Sequence, residues 1–190
     1  TTTVEMLAAC LRAGGIDAAT VGNIGTPLAS RRPGEPLVAE VSSFQLSACE
    51  AFTAPVCAWL NLAPDHLDWH ADLAEYAAAK ASLFERLSAE DTAVLHPSVR
   101  DRVETRAAVR TFDLDGDADA RIDDGWLTIG DMRILSVTAL RRPYRTFILD
   151  ALAAALCAHR LGTSPPAISE ALSSYEPAPH RLEPVAMVDG

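Results

Sequence analysis

Val38-Ala39-Glu40-Val41-Ser42-Ser43-Phe44-Gln45-Leu46 is the stretch on which the fold turns. It begins as a short apolar, β-branched run and breaks at once into a carboxylate and two hydroxyls. The full run is Pro36 to Val41, and a second of the same kind, Pro55 to Leu62, also passes directly into polar loop residues. Short continuous apolar runs suit parallel strands covered on both faces. In an open α/β sheet, ligands bind outside the carboxyl ends of such strands, and Glu40, Ser42 and Ser43 would stand there.

Helices are expected between the strands. Asp72 to Leu87 carries Leu73, Tyr76, Ala77, Lys80, Leu83, Phe84 and Leu87 at helical spacing, with Asp72 placed to cap it. Thr3 to Ala13 is apolar at Val4, Leu7, Ala8 and Leu11 and stops at Gly14-Gly15. Thr92 to Leu95 and Val109 to Phe112 read as strands around a helix from Ser98 to Ala107, continuing the β-α-β alternation. Ala120 to Ser136 differs, because Asp124-Gly125 and Gly130-Asp131 punctuate it as small antiparallel hairpins. Helices over Phe147 to Leu161 and Pro166 to Ser174 follow. The Pro-rich joint Glu176-Pro177-Ala178-Pro179 sets a domain boundary, 1–178 before it and a β-like stretch, 179–190, after it. The expected class is α/β, a mostly parallel sheet flanked by helices, with a small antiparallel hairpin region.

With 190 residues, 49% hydrophobic and 22% charged, the chain has enough apolar surface for a full core. Its apolar stretches, such as Ala151 to Ala158, fall short of the roughly 20 residues a membrane span needs, and the start lacks a signal peptide's basic-then-apolar order. A cytoplasmic location without membrane contact is expected. The net charge of −10 excludes a nucleic-acid surface, since no basic stripe is present to displace counterions. A phosphorylated ligand would therefore be held locally, by backbone amides and metal. Cys10, Cys49, Cys57 and Cys157 are scattered without a Cys-x-x-Cys and read as buried free thiols. Lys80 is the only lysine among sixteen basic residues.

Chemistry concentrates in four places. Thr1-Thr2-Thr3 opens the first helix, as Ser or Thr does after the lysine of a phosphate loop, where helix amides point at phosphate; taken alone, three threonines are better explained by a simple capped helix. Glu40 ends a strand, or is merely a strand-end acid facing water. Asn61-Leu62-Ala63-Pro64-Asp65-His66-Leu67-Asp68-Trp69-His70 repeats the pattern one strand later, although His66 and His70 could be loop histidines with structural hydrogen bonds. Lys80 lies on an otherwise apolar helix face, a costly place for an unpaired ammonium unless it snorkels.

Taken in order, Asn23-Ile24-Gly25, Glu40-Val41-Ser42-Ser43, Asp65-His66-Leu67-Asp68 and Tyr76-Ala77-Ala78-Ala79-Lys80 resemble the Mur ligase family. Its pattern is a phosphate loop ending Gly-Lys-Thr/Ser, an Asn-Ile-Gly segment, Glu-x-Ser-Ser, Asp-His-x-Asp and Tyr-x-x-x-Lys. The likeness covers nearly the whole chain and is densest from Gly22 to Phe84. Ser42-Ser43-Phe44-Gln45-Leu46 and Gly22-Asn23-Ile24-Gly25 are similar to the D-glutamate-adding branch, whereas the branch adding the third amino acid usually reads Ser-Ser-His-Ala-Leu.

The resemblance implies a P-loop-like central ATP-binding domain of an ATP-dependent ligase of cell-wall peptidoglycan synthesis. ATP would phosphorylate the carboxylate of UDP-N-acetylmuramoyl-L-alanine, and the amine of D-glutamate would attack the acyl phosphate. It implies ATP and Mg²⁺ as cofactors. Thr1 and Glu40 would hold the magnesium on the ATP phosphates, while His66 and Lys80 would serve a second metal, Lys80 as a carbamate. Asn23, Ser42 and Gln45 would contact the UDP-sugar substrate, with Asp65 and Asp68 in support. Thr1, Thr2, Asp150 and Arg181 would contact nucleotide.

One departure stands out. The family often opens its late helix with Gly-x-His-Asn-x-x-Asn-Ala, and here Tyr144 to Ala151 runs Tyr-Arg-Thr-Phe-Ile-Leu-Asp-Ala, with Asp150 where an Asn is usual. The expectation includes neighbouring N- and C-terminal domains and a phosphate loop outside this chain, which would be inactive alone. The alternatives are a third-amino-acid ligase, a folylpolyglutamate synthase, or a nucleotide-binding domain without turnover.

Overall fold

The computed structural model describes residues 1–177. Helix α1, Thr2–Ala13, leads into strand β1, Ala19–Gly22, and then β2, Leu37–Glu40. A short helix α2, Ser43–Ser47, separates β2 from β3, Val56–Trp59. Helix α3, Leu73–Glu85, precedes β4, Thr92–Leu95; one turn of helix α4, Pro97–Arg100, precedes β5, Ala108–Thr111. The antiparallel meander β6, Ala120–Asp123, β7, Trp126–Ile129, and β8, Met132–Ser136, then leads to α5, Arg145–Arg160, and α6, Pro165–Ser174.

The parallel strands form two groups, β1 with β2 and β3-β4-β5. The apolar runs around Glu40 and Trp59 are strands, as expected, and each feeds a helix through its carboxyl end. Asp72 caps α3 by accepting the Glu75 N–H at 2.8 Å, a contact worth about 1 kcal/mol in most helices. At the meander's first turn Asp124 and Gly125 both take positive φ, 48° and 75°, the geometry a tight hairpin needs.

One expectation needs correcting. The helix read over Ser98 to Ala107 is a single turn, because Arg102 and Val103 bond three residues back, to Val99 and Arg100, and the chain then leaves for β5. Val103 and Thr105 are β-branched and Thr105 Oγ1 accepts the Ala107 N–H, so the segment bonds locally instead of propagating a helix. The boundary expected at 178/179, and Arg181 beyond it, lie outside the described residues.

The main core gathers α1, α5, α6 and the inner face of the meander around Met6, Phe112, Phe147, Leu152 and Leu156. A second core lies between α3 and β3-β4-β5, around Trp59, Phe84 and Leu95. Between β2 and β3 runs a cavity of about 720 Å³. Leu37 through Val41 and Val56 through Asn61 line it without skipping a residue. Since strand side chains alternate between faces, lining by consecutive residues means that the cavity runs along the strand edges. Thr1, Glu40, Asn61 and Lys80 are among the polar residues that line this largely apolar groove.

Candidate active site

The site starts from a backbone constraint. Gly22 ends β1 at φ +98, and a Cβ there would stand 2.3 Å from the Glu40 carbonyl oxygen. Gly25 has φ +71, with the Thr20 carbonyl oxygen 2.8 Å from where its Cβ would be. Only glycine fits both places, and the turn they make brings Asn23 onto the end of β2. Its backbone N–H donates to Glu40 O at 2.8 Å, and its Nδ2 donates to Glu40 Oε1 at 3.1 Å.

The other carboxylate oxygen of Glu40 faces α1, with Oε2 3.0 Å from the Thr1 nitrogen. Burial opposes ionisation of Glu40, while hydrogen bonds from the Thr1 and Asn23 side chains favour its carboxylate. Thr2 follows in the first turn, half-buried. The helix amino end and an ionised carboxylate therefore meet at the carboxyl edge of the sheet.

Lys80 enters from α3. Its ammonium sits 5.0 Å from the centroid of the Tyr76 ring, a cation-π contact. Burial draws its pKa below the usual lysine value, against the pull of Asp65 and Glu40. The apolar face thus does not simply let the amine snorkel into water.

The Asp65 to His70 loop flanks these groups. His66 adopts φ +54, which non-glycine residues seldom hold, while its N–H donates to Asp65 Oδ1 at 2.9 Å and its carbonyl accepts from the Trp69 and His70 amides. Its Nε2 pairs with Asp65 Oδ2 at 3.5 Å and its ring lies 6.1 Å from that of Tyr76, so His66 and Lys80 both touch Tyr76. His70 is 1% exposed and binds Ser43 Oγ through Nε2 at 3.0 Å, its ring stacked on Phe44. It takes the structural role that a loop histidine offers.

Ser42 and Gln45 close a capping box on α2: Ser42 Oγ accepts the Gln45 N–H at 3.2 Å, and Gln45 Oε1 accepts the Ser42 N–H at 2.8 Å. The box leaves the Gln45 Nε2 amide outside the exchange, on an exposed side chain. Asp68 is exposed on the loop. Asp150, on α5, accepts a hydrogen bond from Thr3 Oγ1 in the first turn of α1. Sequence reasoning missed this link and the His70 to Ser43 contact; the partners of the first are 147 residues apart, and no local pattern marks such a pair.

The structure thus brings Thr1, Asn23, Glu40 and Lys80 together, with His66 and Asp65 beside them, and leaves Ser42 and Gln45 one turn away. Among the described residues, no group of three or more His, Cys, Asp or Glu side chains is set to hold a metal ion. That still fits magnesium, which usually takes one or two carboxylates and completes its shell with water and substrate phosphates. The oxygen donors Glu40 and Thr1 suit it.

The sequence model of the Mur ligase middle domain matches residues 1–128. The chain belongs to the Mur ligase middle-domain family. Similar curated Mur ligases include the UDP-N-acetylmuramoylalanine–D-glutamate ligases of Frankia casuarinae, 40% identical over 205 residues, and Thermobifida fusca, 36% identical over 213. The alignments cover all of this chain but 43% and 45% of those relatives, so the chain spans less than half their length. Among solved structures, the UDP-N-acetylmuramate:L-alanyl-gamma-D-glutamyl-meso-diaminopimelate ligase of Neisseria meningitides superposes at TM-score 0.73 and 19% identity, covering 94% of this chain and 63% of that one. The MurF ligase of Thermotoga maritima in complex with ADP superposes at 0.71 and 20% identity, covering 94% of this chain and 46% of that one. At those identities the superpositions establish the Mur ligase middle-domain fold. Among the described residues no helix is long and apolar enough to cross a membrane.

Proposed function

We propose that residues 1–178 are the ATP- and magnesium-binding part of a cytoplasmic ligase that joins D-glutamate to UDP-N-acetylmuramoyl-L-alanine, with 179–190 leading into the next domain. The observation that carries this is the meeting of Glu40, Thr1 and Lys80 where the amino end of α1 reaches the carboxyl edge of the parallel strands. The identity with ligases named for that substrate pair, and ADP in the Thermotoga maritima relative, support it.

The difficulty in such a reaction is bringing a substrate carboxylate to an anionic phosphate. Magnesium bound at Glu40 and the Thr1 hydroxyl would neutralise phosphate oxygens. Asn23 holds Glu40 ionised and aimed, and the α1 amides favour negative charge at their end. His66 is placed near Lys80 through Tyr76, and a neutral Lys80 amine can add carbon dioxide to present a carbamate oxygen, a better metal donor than an ammonium. Asn23 and Gln45 Nε2 would face the UDP-sugar substrate.

The test uses the full-length protein. Phosphate release from ATP should require both UDP-N-acetylmuramoyl-L-alanine and D-glutamate. Release driven equally by a diaminoacid on the dipeptide precursor, or by a folate and glutamate, would replace this reading with the corresponding ligase.

A further inference from the structure

Three residues at the amino end of α1 each meet a different element. Glu40 of β2 faces Thr1, Asp150 of α5 takes the Thr3 hydroxyl, and the Tyr175 hydroxyl, just past α6, donates to Glu5. Thr3 is 7% exposed, so its hydroxyl has little water to bond and Asp150 answers it. Met6, Cys10 and Ala8 are fully buried beneath and fix the helix axis.

We propose that Asp150 is a positioning residue: through the Thr3 hydroxyl it fixes the first turn of α1, and so sets where the Thr1 side chain and the helix amides meet phosphate. Its carboxylate acts on the protein rather than on the nucleotide. The inference rests on the ATP-binding reading for its consequence but not for its geometry. A hydrogen bond to a charged acceptor is among the stronger ones, and the amino end of a helix favours a carboxylate nearby. Loss of the contact leaves a buried hydroxyl unanswered in the turn that carries Thr1.

The test compares Asp150→Ala, Asp150→Asn and Thr3→Val in the full-length protein. Amide hydrogen exchange without nucleotide should show the Glu5 amide, which closes the first turn of α1 on the Thr1 carbonyl, losing protection at least 10-fold in Asp150→Ala and Thr3→Val. Protection should be recovered in Asp150→Asn, whose Oδ1 still accepts. With ATP present, the first two should raise KM for ATP about 10-fold with a smaller change in kcat, and the double variant should be no worse than either alone. Unchanged exchange in Asp150→Ala overturns the proposal whatever the ligand, as do additive effects in the double variant, which would mean that Asp150 acts elsewhere. Altered exchange in a protein that binds no ATP upholds the clasp and instead defeats the ATP-binding reading.

Discussion

Asn23 and Glu40 are joined twice, by the Asn23 backbone N–H on the Glu40 carbonyl at 2.8 Å and by Nδ2 on Oε1 at 3.1 Å. One bond sets the turn and the other aims the carboxylate. The two can be separated by mutation. Asn23 is exposed, so Asn23→Ala should leave thermal stability almost unchanged. It should weaken magnesium-dependent activity of the full-length protein roughly 10-fold or more, as loss of a residue orienting a metal ligand commonly does. Titrating magnesium against rate checks this; an unchanged midpoint would remove Asn23 from the site.

Gly22→Ala attacks the other bond. The new Cβ would sit 2.3 Å from the Glu40 carbonyl oxygen in a residue at φ +98. Left-handed strain alone costs of order 1–3 kcal/mol, and a backbone contact that short forces β1 and β2 apart. We expect a loss of about 2 kcal/mol or more by chemical denaturation. A variant as stable as the parent would show that the turn relaxes freely.

How far the sequence foretold this depends on whether a signal was local. Thr92 to Leu95 was readable as a strand because it is a continuous apolar run between turns, and Asp72 as a cap because it precedes a helical apolar stripe. The pair Asp124-Gly125 announced its hairpin through the only backbone geometry it favours. Strand β1 went unread, since Ala19 to Gly22 is four residues with a threonine and a glycine, and its pairing with Leu37 to Glu40 is what makes it a strand. Helix α2 carried its capping-box spacing in plain view, but five residues give too little periodicity to call attention to it. At the site, Glu40 followed from strand order, while the clasp of Thr3 by Asp150 depends on how α1 packs on α5.

The cysteines test the packing independently. Burial pushes the Cys10 and Cys157 thiols up to about 12 and Cys57 up to about 11, whereas Cys49 is partly exposed. A raised thiol pKa means less thiolate at any given pH, and thiolate is the reactive form. At pH 8 a maleimide probe should therefore modify Cys49 first in the native protein, with the other three modified only on unfolding, as read by mass spectrometry of the peptides. Early labelling of Cys157 would contradict its burial inside α5.

Lys80 offers the sharpest test, because three roles for it predict different outcomes. If it serves as a carbamate, the amine must lose a proton and its nitrogen must bond to carbon dioxide, giving R–NH–COO⁻ and releasing one further proton. Burial draws its pKa below the usual lysine value, so a larger neutral fraction is present at any given pH, and that fraction grows as pH rises. Activity of the full-length protein should consequently depend on added bicarbonate, with the carbamate gaining as pH rises. Lys80→Arg should be inactive, since a guanidinium stays protonated and cannot add carbon dioxide. Lys80→Ala should be inactive too, but partly restored by acetate or formate, which return an oxygen donor from solution. A lysine that acts as a cation on phosphate predicts the opposite, partial activity in Lys80→Arg and rescue by amines. A lysine that only packs its stem on Tyr76 predicts an unstable alanine variant that no acid repairs. An active Lys80→Arg variant together with an unmodified lysine mass in bicarbonate would remove the carbamate from the site.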